Sequence, residues 1–188
     1  MPEQIYVCPL GSVDEAILDG VAQRLSESTK MTVSILPPMG DPSYAYDRKR
    51  GQYNSKKILK RLGACCPRGT FKIMGVTVVD LYVPILTFVF GAAQMSGRCA
   101  VISTRRLDPL FYQETKDRLL VLERVKKTAL HELGHGMGLV HCRDRRCVMF
   151  SSTRIEDTDF KRSEFCYTCR ELFRWQLEKA QYLAKTKV

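Results

Sequence analysis

Apolar positions along this chain recur at two different periods, and the change of period marks its elements. Residues 4–9, QIYVCP, form an apolar run of strand length. Val13, Ile17, Leu18, Val21 and Leu25 then recur at helical spacing, and Ser12 is placed to cap a helix over residues 13–26. Residues 31–36 read as a second strand stopped by Pro37 and Pro38, and residues 39–46 as a loop. Residues 52–62 have the pattern of a basic amphipathic helix closed by Gly63. Residues 72–80 are rich in β-branched side chains and predict a strand, as do the shorter apolar runs 87–92 and 99–104. A long helix lies within residues 108–138, with Leu119, Leu122, Val125, Leu130 and Leu133 as its apolar face. Little periodicity follows between Cys142 and Cys169, and residues 171–184 read as a closing amphipathic helix. The order β-α-β-α-β-β-β-α predicts an α/β (α+β) fold with a mixed β-sheet and packed helices.

Composition narrows the class. With 188 residues, 45% of them apolar, the chain can bury a sizeable core as one domain with a small attachment. The most apolar window, residues 81–93, contains Pro84 and is too short to span a bilayer. The start, MPEQIYVCPLG, has neither a basic region nor a long apolar run. The expectation is a soluble cytoplasmic protein with no membrane partner. Eight cysteines without an export signal favour thiolate metal binding over a disulfide scaffold. The formal charge of +10 permits a nucleic-acid or acidic partner. The basic residues are nevertheless scattered over positions 48–50, 56–61, 126–127 and 143–146, as on ordinary solvated faces.

The chemistry concentrates in HELGHGMGLVHC, residues 131–142, which hold all three histidines of the chain. His131 and His135 are four apart on the expected helix, so both rings lie on one face and can bind one metal ion. Glu132 can reach a water at that metal without being a ligand itself, the H-E-x-x-H arrangement of zinc hydrolases. Gly138 can adopt φ > 0, end the helix and swing the chain back to deliver His141 as a third ligand. Three histidines leave one tetrahedral position open, as a catalytic zinc requires. A second set, Cys142, Cys147, Cys166 and Cys169, has the spacing C-x4-C-x18-C-x2-C and suits a four-thiolate zinc site. Unligated buried thiols, two disulfides, or Cys142 entering the histidine site are the alternatives. Cys8 and Cys99 fall in expected strands and read as buried small residues; Cys65-Cys66 reads as a turn, with an inhibitory thiol as the alternative.

Read as one string, HELGHGMGLVHC, then Cys147, Met149 and Cys166-Tyr-Thr-Cys169, the segment 131–169 resembles the archaemetzincin family of the metzincin clan. The resemblance implies a zinc metallopeptidase with His131, His135 and His141 on a catalytic zinc and Glu132 as general base and acid. It implies a structural zinc on the four cysteines, hence two zinc ions per chain. Met149 would form the Met-turn under the histidines, and residues 88–92 the sheet edge along which a peptide substrate lies. Residues 1–138 would form an α/β subdomain carrying the active-site helix. Residues 139–188 would form a C-terminal subdomain with the cysteine site, the Met-turn and the closing helix. No fourth histidine exists and Phe150 rather than a tyrosine follows Met149, so the transition-state donor is unassigned; Tyr82 and Tyr112 are available. The competing reading is a catalytically weak zinc protein whose basic surface binds nucleic acid or an acidic partner.

Overall fold

Period-two alternation on the central strands sorts their side chains between two helical layers. The computed structural model describes residues 4–185; residues 1–3 and 186–188, the outer ends of the two expected subdomains, lie outside the described residues. Strand β1 (Gln4–Leu10), helix α1 (Glu15–Thr29) and strand β2 (Val33–Ile35) make a parallel crossover unit. Two short strands follow, β3 (Tyr46–Asp47) and β4 (Gln52–Asn54), then helix α2 (Ser55–Cys65). Next come β5 (Thr70–Thr77), β6 (Leu81–Tyr82), β7 (Gly91–Ala93) and β8 (Cys99–Ser103). Helices α3 (Arg118–Gly136), α4 (Ile155–Phe160) and α5 (Tyr167–Lys185) complete the chain.

The main sheet has the order β2-β1-β5-β8-β7, with only β7 antiparallel. It is the mixed sheet that the element order predicts. On one face Ile5, Val7, Met74, Val76, Ala100 and Ile102 meet α1 and α3 through Leu18, Val21, Leu25, Val125, Ala129 and Leu133. On the other, Tyr6, Cys8, Ile73, Cys99 and Val101 pack against Ile58, Leu59 and Leu62 of α2. Cys8 and Cys99 are buried as expected, and burial pushes the Cys8 thiol up to about 11. Among the described residues no helix is long and apolar enough to cross a membrane.

Several elements differ from the sequence reading, each for a local reason. Helix α2 starts at Ser55 rather than 52, because the Asn54 side chain accepts from the backbone N–H groups of Lys56 and Lys57 at 3.0 and 3.4 Å. It runs past Gly63 to Cys65, where Pro67 forces Cys66 into an extended conformation. The strand expected over 87–92 is confined to Gly91–Ala93. Arg50 donates to Leu86 O and Thr87 O, and Gln52 to Thr87 O, taking carbonyls that a ladder would use. Leu119 is 80% exposed and does not belong to the buried face of α3. The aperiodic stretch after Cys142 contains α4, whose start is closed by Asp157 accepting from Thr153 N, Thr153 Oγ1 and Arg154 N. Helix α5 begins at Tyr167, four residues early, so Cys169 rides on its first turn.

Candidate active site and metal centre

Helix α3 carries the first two histidines, and both of its ends are held. Asp117 Oδ1 accepts from Leu120 N at 3.0 Å at the start. At the other end the Lys72 ammonium donates to Gly136 O and Gly97 O at 2.5 and 2.7 Å, a cation on the negative end of the helix. Gly138 has φ of 89°, as the sequence requires of it. Leu139 N donates to Gly134 O at 2.9 Å, closing the turn that sends the chain back toward the helix.

That return brings His141 to the other two rings. His135 Nε2 lies 3.1 Å from His131 Nε2 and 3.3 Å from His141 Nε2. A tetrahedral zinc with ligand bonds of about 2.0–2.1 Å needs nitrogens roughly 3.3 Å apart, so the spacing fits the ion. The tautomers fit as well. His131 Nδ1 sits 2.8 Å from Val148 O and His135 Nδ1 2.8 Å from Leu139 O. A carbonyl can only accept, so each Nδ1 carries the proton and each Nε2 presents a lone pair to the centre. Burial, with the charges of Lys161 and His135 behind it, holds the His131 pKa well below its ordinary value; burial also lowers those of His135 and His141. The rings are therefore neutral and ready to ligate at neutral pH. His131 is buried, His135 half-buried and His141 exposed, so the centre opens to solvent on one side.

Glu132 lines the same cavity of about 410 Å³ as the three histidines. Glu132 is 5% exposed, and burial, opposed by the charge of Lys161, pushes its carboxyl pKa up to about 8. Edge strand β7 lies directly against it: a β-carbon at Gly91 would sit 2.7 Å from Glu132 Cγ and 2.8 Å from Oε1. Met149, fully buried, packs beneath α3 at Gly134, and Met149 O accepts from Cys142 N at 2.9 Å.

Cys142, Cys147, Cys166 and Cys169 come together with all four sulfurs within 4.8 Å of one another. The 3.8 Å between Cys142 Sγ and Cys166 Sγ is close to the edge of a tetrahedron with zinc–sulfur bonds of about 2.3 Å and far longer than a disulfide. Backbone N–H groups of Asp144, Met149 and Cys166 donate to these sulfurs at 3.3–3.4 Å, as suits thiolates. The donor set fits a closed structural ion.

The three histidines and the four cysteines thus fall into two clusters, and Glu132 lines the cavity of the first. Tyr82 and Tyr112 do not join them: the Tyr82 hydroxyl donates to Asp47 Oδ2 at 2.7 Å and that of Tyr112 to Arg106 O at 3.0 Å. Neither lines the cavity. Thr128, Ser152 and Lys161 do, and the sequence reading missed them. Thr128 lies one turn before His131, which spacing could have revealed. Lys161 sits in an aperiodic stretch of a chain with 30 lysines and arginines, where nothing distinguishes it.

Residues 20–175 match the family described as peptidase family M54. The chain belongs to that family, the archaemetzincins. It is similar to the archaemetzincin of Methanocaldococcus jannaschii, 41% identical over 166 residues that cover 88% of this chain and 90% of that protein. The crystal structure of archaemetzincin from Methanopyrus kandleri superposes with a TM-score of 0.81 at 34% identity, covering 94% of this chain and 96% of that one. That of Archaeoglobus fulgidus, complexed with malonate, gives 0.77 at 38% identity over 90% and 99%. This archaemetzincin is therefore a zinc metallopeptidase, a hydrolase of peptides, as the H-E-x-x-H spacing implies.

Proposed function

We propose that His131, His135 and His141 hold the catalytic zinc, that Glu132 is the general base and acid, and that the four cysteines hold a second, structural zinc. The convergence of three Nε2 atoms beside a buried carboxyl carries this reading. A zinc held by these three histidines would supply Lewis-acid polarisation of the scissile carbonyl and a water acidic enough to react near neutral pH. Glu132 accepts the proton of the attacking water and delivers it to the leaving amine. Burial strengthens this group as a base, since a carboxyl with a raised pKa binds the transferred proton more tightly. The Nδ1 bonds of His131 and His135 to backbone carbonyls hold the rings in register through the cycle.

The substrate peptide lies along the open edge of β7, pairing as an added strand above Glu132. Met149 serves as the Met-turn: its loop presents Val148 O to His131 and its side chain braces α3 from below. The cysteine-bound zinc would fix that loop at both ends, since Cys147 precedes and Cys166 follows Val148 and Met149. On this reading residues 139–188 act as a zinc-stapled subdomain closing the site built by residues 1–138.

The test is a peptide-library digest with wild type and Glu132→Ala, each assayed for zinc. Cleavage that disappears in the variant while two zinc ions per chain remain is the expected result. A variant that cleaves as well as wild type overturns the role of Glu132.

A further inference from the structure

We propose that Lys161 is the floor of an anion-binding subsite beside the zinc ligands, which takes a substrate carboxylate next to the scissile bond. This rests on the peptidase reading and extends it to a substrate class, acidic peptides.

The side chain of Lys161 is 3% exposed, yet it lines the cavity that holds Glu132 and the histidines. Its ammonium has three donors. Among the described residues it has one hydrogen-bond acceptor, Phe150 O at 3.1 Å, and no carboxylate within ion-pairing distance. Buried cations elsewhere in this protein are paired. Arg124 makes two bonds to Asp159 at 2.7 and 2.6 Å, and Lys127 meets Glu123 at 2.8 Å. A buried ammonium with a single neutral partner is costly unless something else completes its shell.

Glu132 does not complete it. The two groups feel each other across the cavity but form no ion pair, and Glu132 spends the cycle accepting and giving a proton. Among the described residues, Glu132 and Lys161 are the only acidic or basic side chains besides the histidines in the cavity lining. A zinc ion on three neutral imidazoles adds two positive charges, so the loaded site is cationic by about two units. Such a pocket, walled by Phe88, Phe90 and aliphatic groups, attracts an anion.

A second atom points the same way. The Ser152 hydroxyl oxygen is buried, lines this cavity and has no hydrogen-bond partner among the described residues. It adds a hydroxyl donor to the same cavity lining, available to a carboxylate oxygen. The subsite is also held in place. Lys161 directly follows α4, and that helix is tied to α3 by the Arg124–Asp159 pair and by Lys127 Nζ on Thr158 O and Asp159 O at 3.2 Å. The ammonium is thus fixed relative to the histidines of α3, as a specificity group must be.

Two sources of carboxylate fit: an acidic side chain beside the cut, and the C-terminal carboxylate of a short peptide. The experiment uses the full-length zinc-loaded protein and matched peptides. One arm exchanges Glu for Gln and Asp for Asn at each position flanking the cut; the other exchanges a C-terminal acid for its amide. kcat/KM is measured on wild type, and dissociation constants by calorimetry on Glu132→Gln, which separates binding from turnover. One arm is expected to show a preference for the acid of about tenfold or more in both measurements. Lys161→Met should reduce it to about twofold, and Ser152→Ala by about threefold. Equal kcat/KM for every acid and neutral pair in wild type overturns the proposal, whether or not the Lys161 variant folds. So does a Lys161→Met enzyme that loses acidic and neutral substrates by the same factor, which marks a general electrostatic role. Acid-selective binding without any cleavage keeps the subsite and removes the peptidase reading; cleavage without charge preference does the reverse.

Discussion

Met149 seats its sulfur in the notch that Gly134 leaves on the underside of α3, where a β-carbon would collide with Sδ and lie 3.1 Å from Cε. The contact joins the middle of the H-E-x-x-H motif to the segment that directly follows Cys147. The same loop presents Val148 O to His131 Nδ1, so one packing contact and one hydrogen bond fix the helix over its floor.

Gly134→Ala is therefore expected to push Met149 out of its seat. Overpacking of this kind costs about 1–3 kcal/mol, readable as a lowered Tm. Because Val148 moves with Met149, zinc affinity at the histidine site should fall by about tenfold, in the range lost with outer-shell partners. Met149→Leu, which nearly conserves volume, should cost less than about 1.5 kcal/mol. A Gly134→Ala protein with unchanged Tm and zinc affinity contradicts the contact.

Gly91→Ala probes the contact between β7 and Glu132, the proposed general base. The new methyl would meet Glu132 Cγ at 2.7 Å and Val101 O at 2.9 Å, so either the carboxyl or the strand must shift. Misplacing a reacting group by about 1 Å can cost on the order of a hundredfold in rate. The expected result is a kcat at least about tenfold lower with both zinc ions retained. Steady-state kinetics beside elemental analysis checks it.

The stability of protein with an emptied histidine site should depend on Glu132 in a defined direction. Its pKa is raised from 4.5 to about 8 in the folded chain, so between those values the native state binds more protons than the unfolded one. Stability is then full below pH 4.5 and lost as pH rises toward 8. Glu132→Gln has no such proton to lose. Its advantage over wild type should be small at pH 4.5 and grow to roughly 2 kcal/mol or more at pH 8. Chemical denaturation at the two pH values measures it, and a gap that narrows with rising pH would refute the buried carboxyl.

Metal removal should proceed in order. On the proposed assignment the histidine site has an exposed ligand and an open side, whereas the four cysteine sulfurs would close around the second ion. Mild chelation is expected to take one zinc per chain and abolish cleavage with little change in circular dichroism. Stronger chelation should take the second and unfold the segment after residue 141. Loss of helical signal before loss of activity would reverse the assignment of the two ions.

Much of the site was legible in the sequence because its rules are local. His131 and His135 share a face at four-residue spacing in any α-helix, Gly138 can turn the chain, and paired cysteines with a short spacer can meet one ion. Strands β1, β5 and β8 were legible too, because alternation or a run of apolar residues marks burial on both faces. The misreadings arose where distant side chains intervened. Arg50 and Gln52 took the carbonyls of residues 86 and 87 and shortened β7, and Asn54 moved the start of α2. Helix α4 was hidden because its six residues carry too few apolar positions to show a period, while Asp157 and Arg124 hold it from outside the pattern.

The sequence by itself determined which atoms can ligate and at what spacing, since covalent geometry repeats every turn whatever surrounds it. Only the tertiary structure decided that Glu132 is buried against Gly91, that Met149 fits under Gly134, and that Lys161 reaches the same cavity from a segment 29 residues further along. Desolvation and cavity shape are sums over neighbours that the chain brings together from far apart, and no short stretch of sequence contains them.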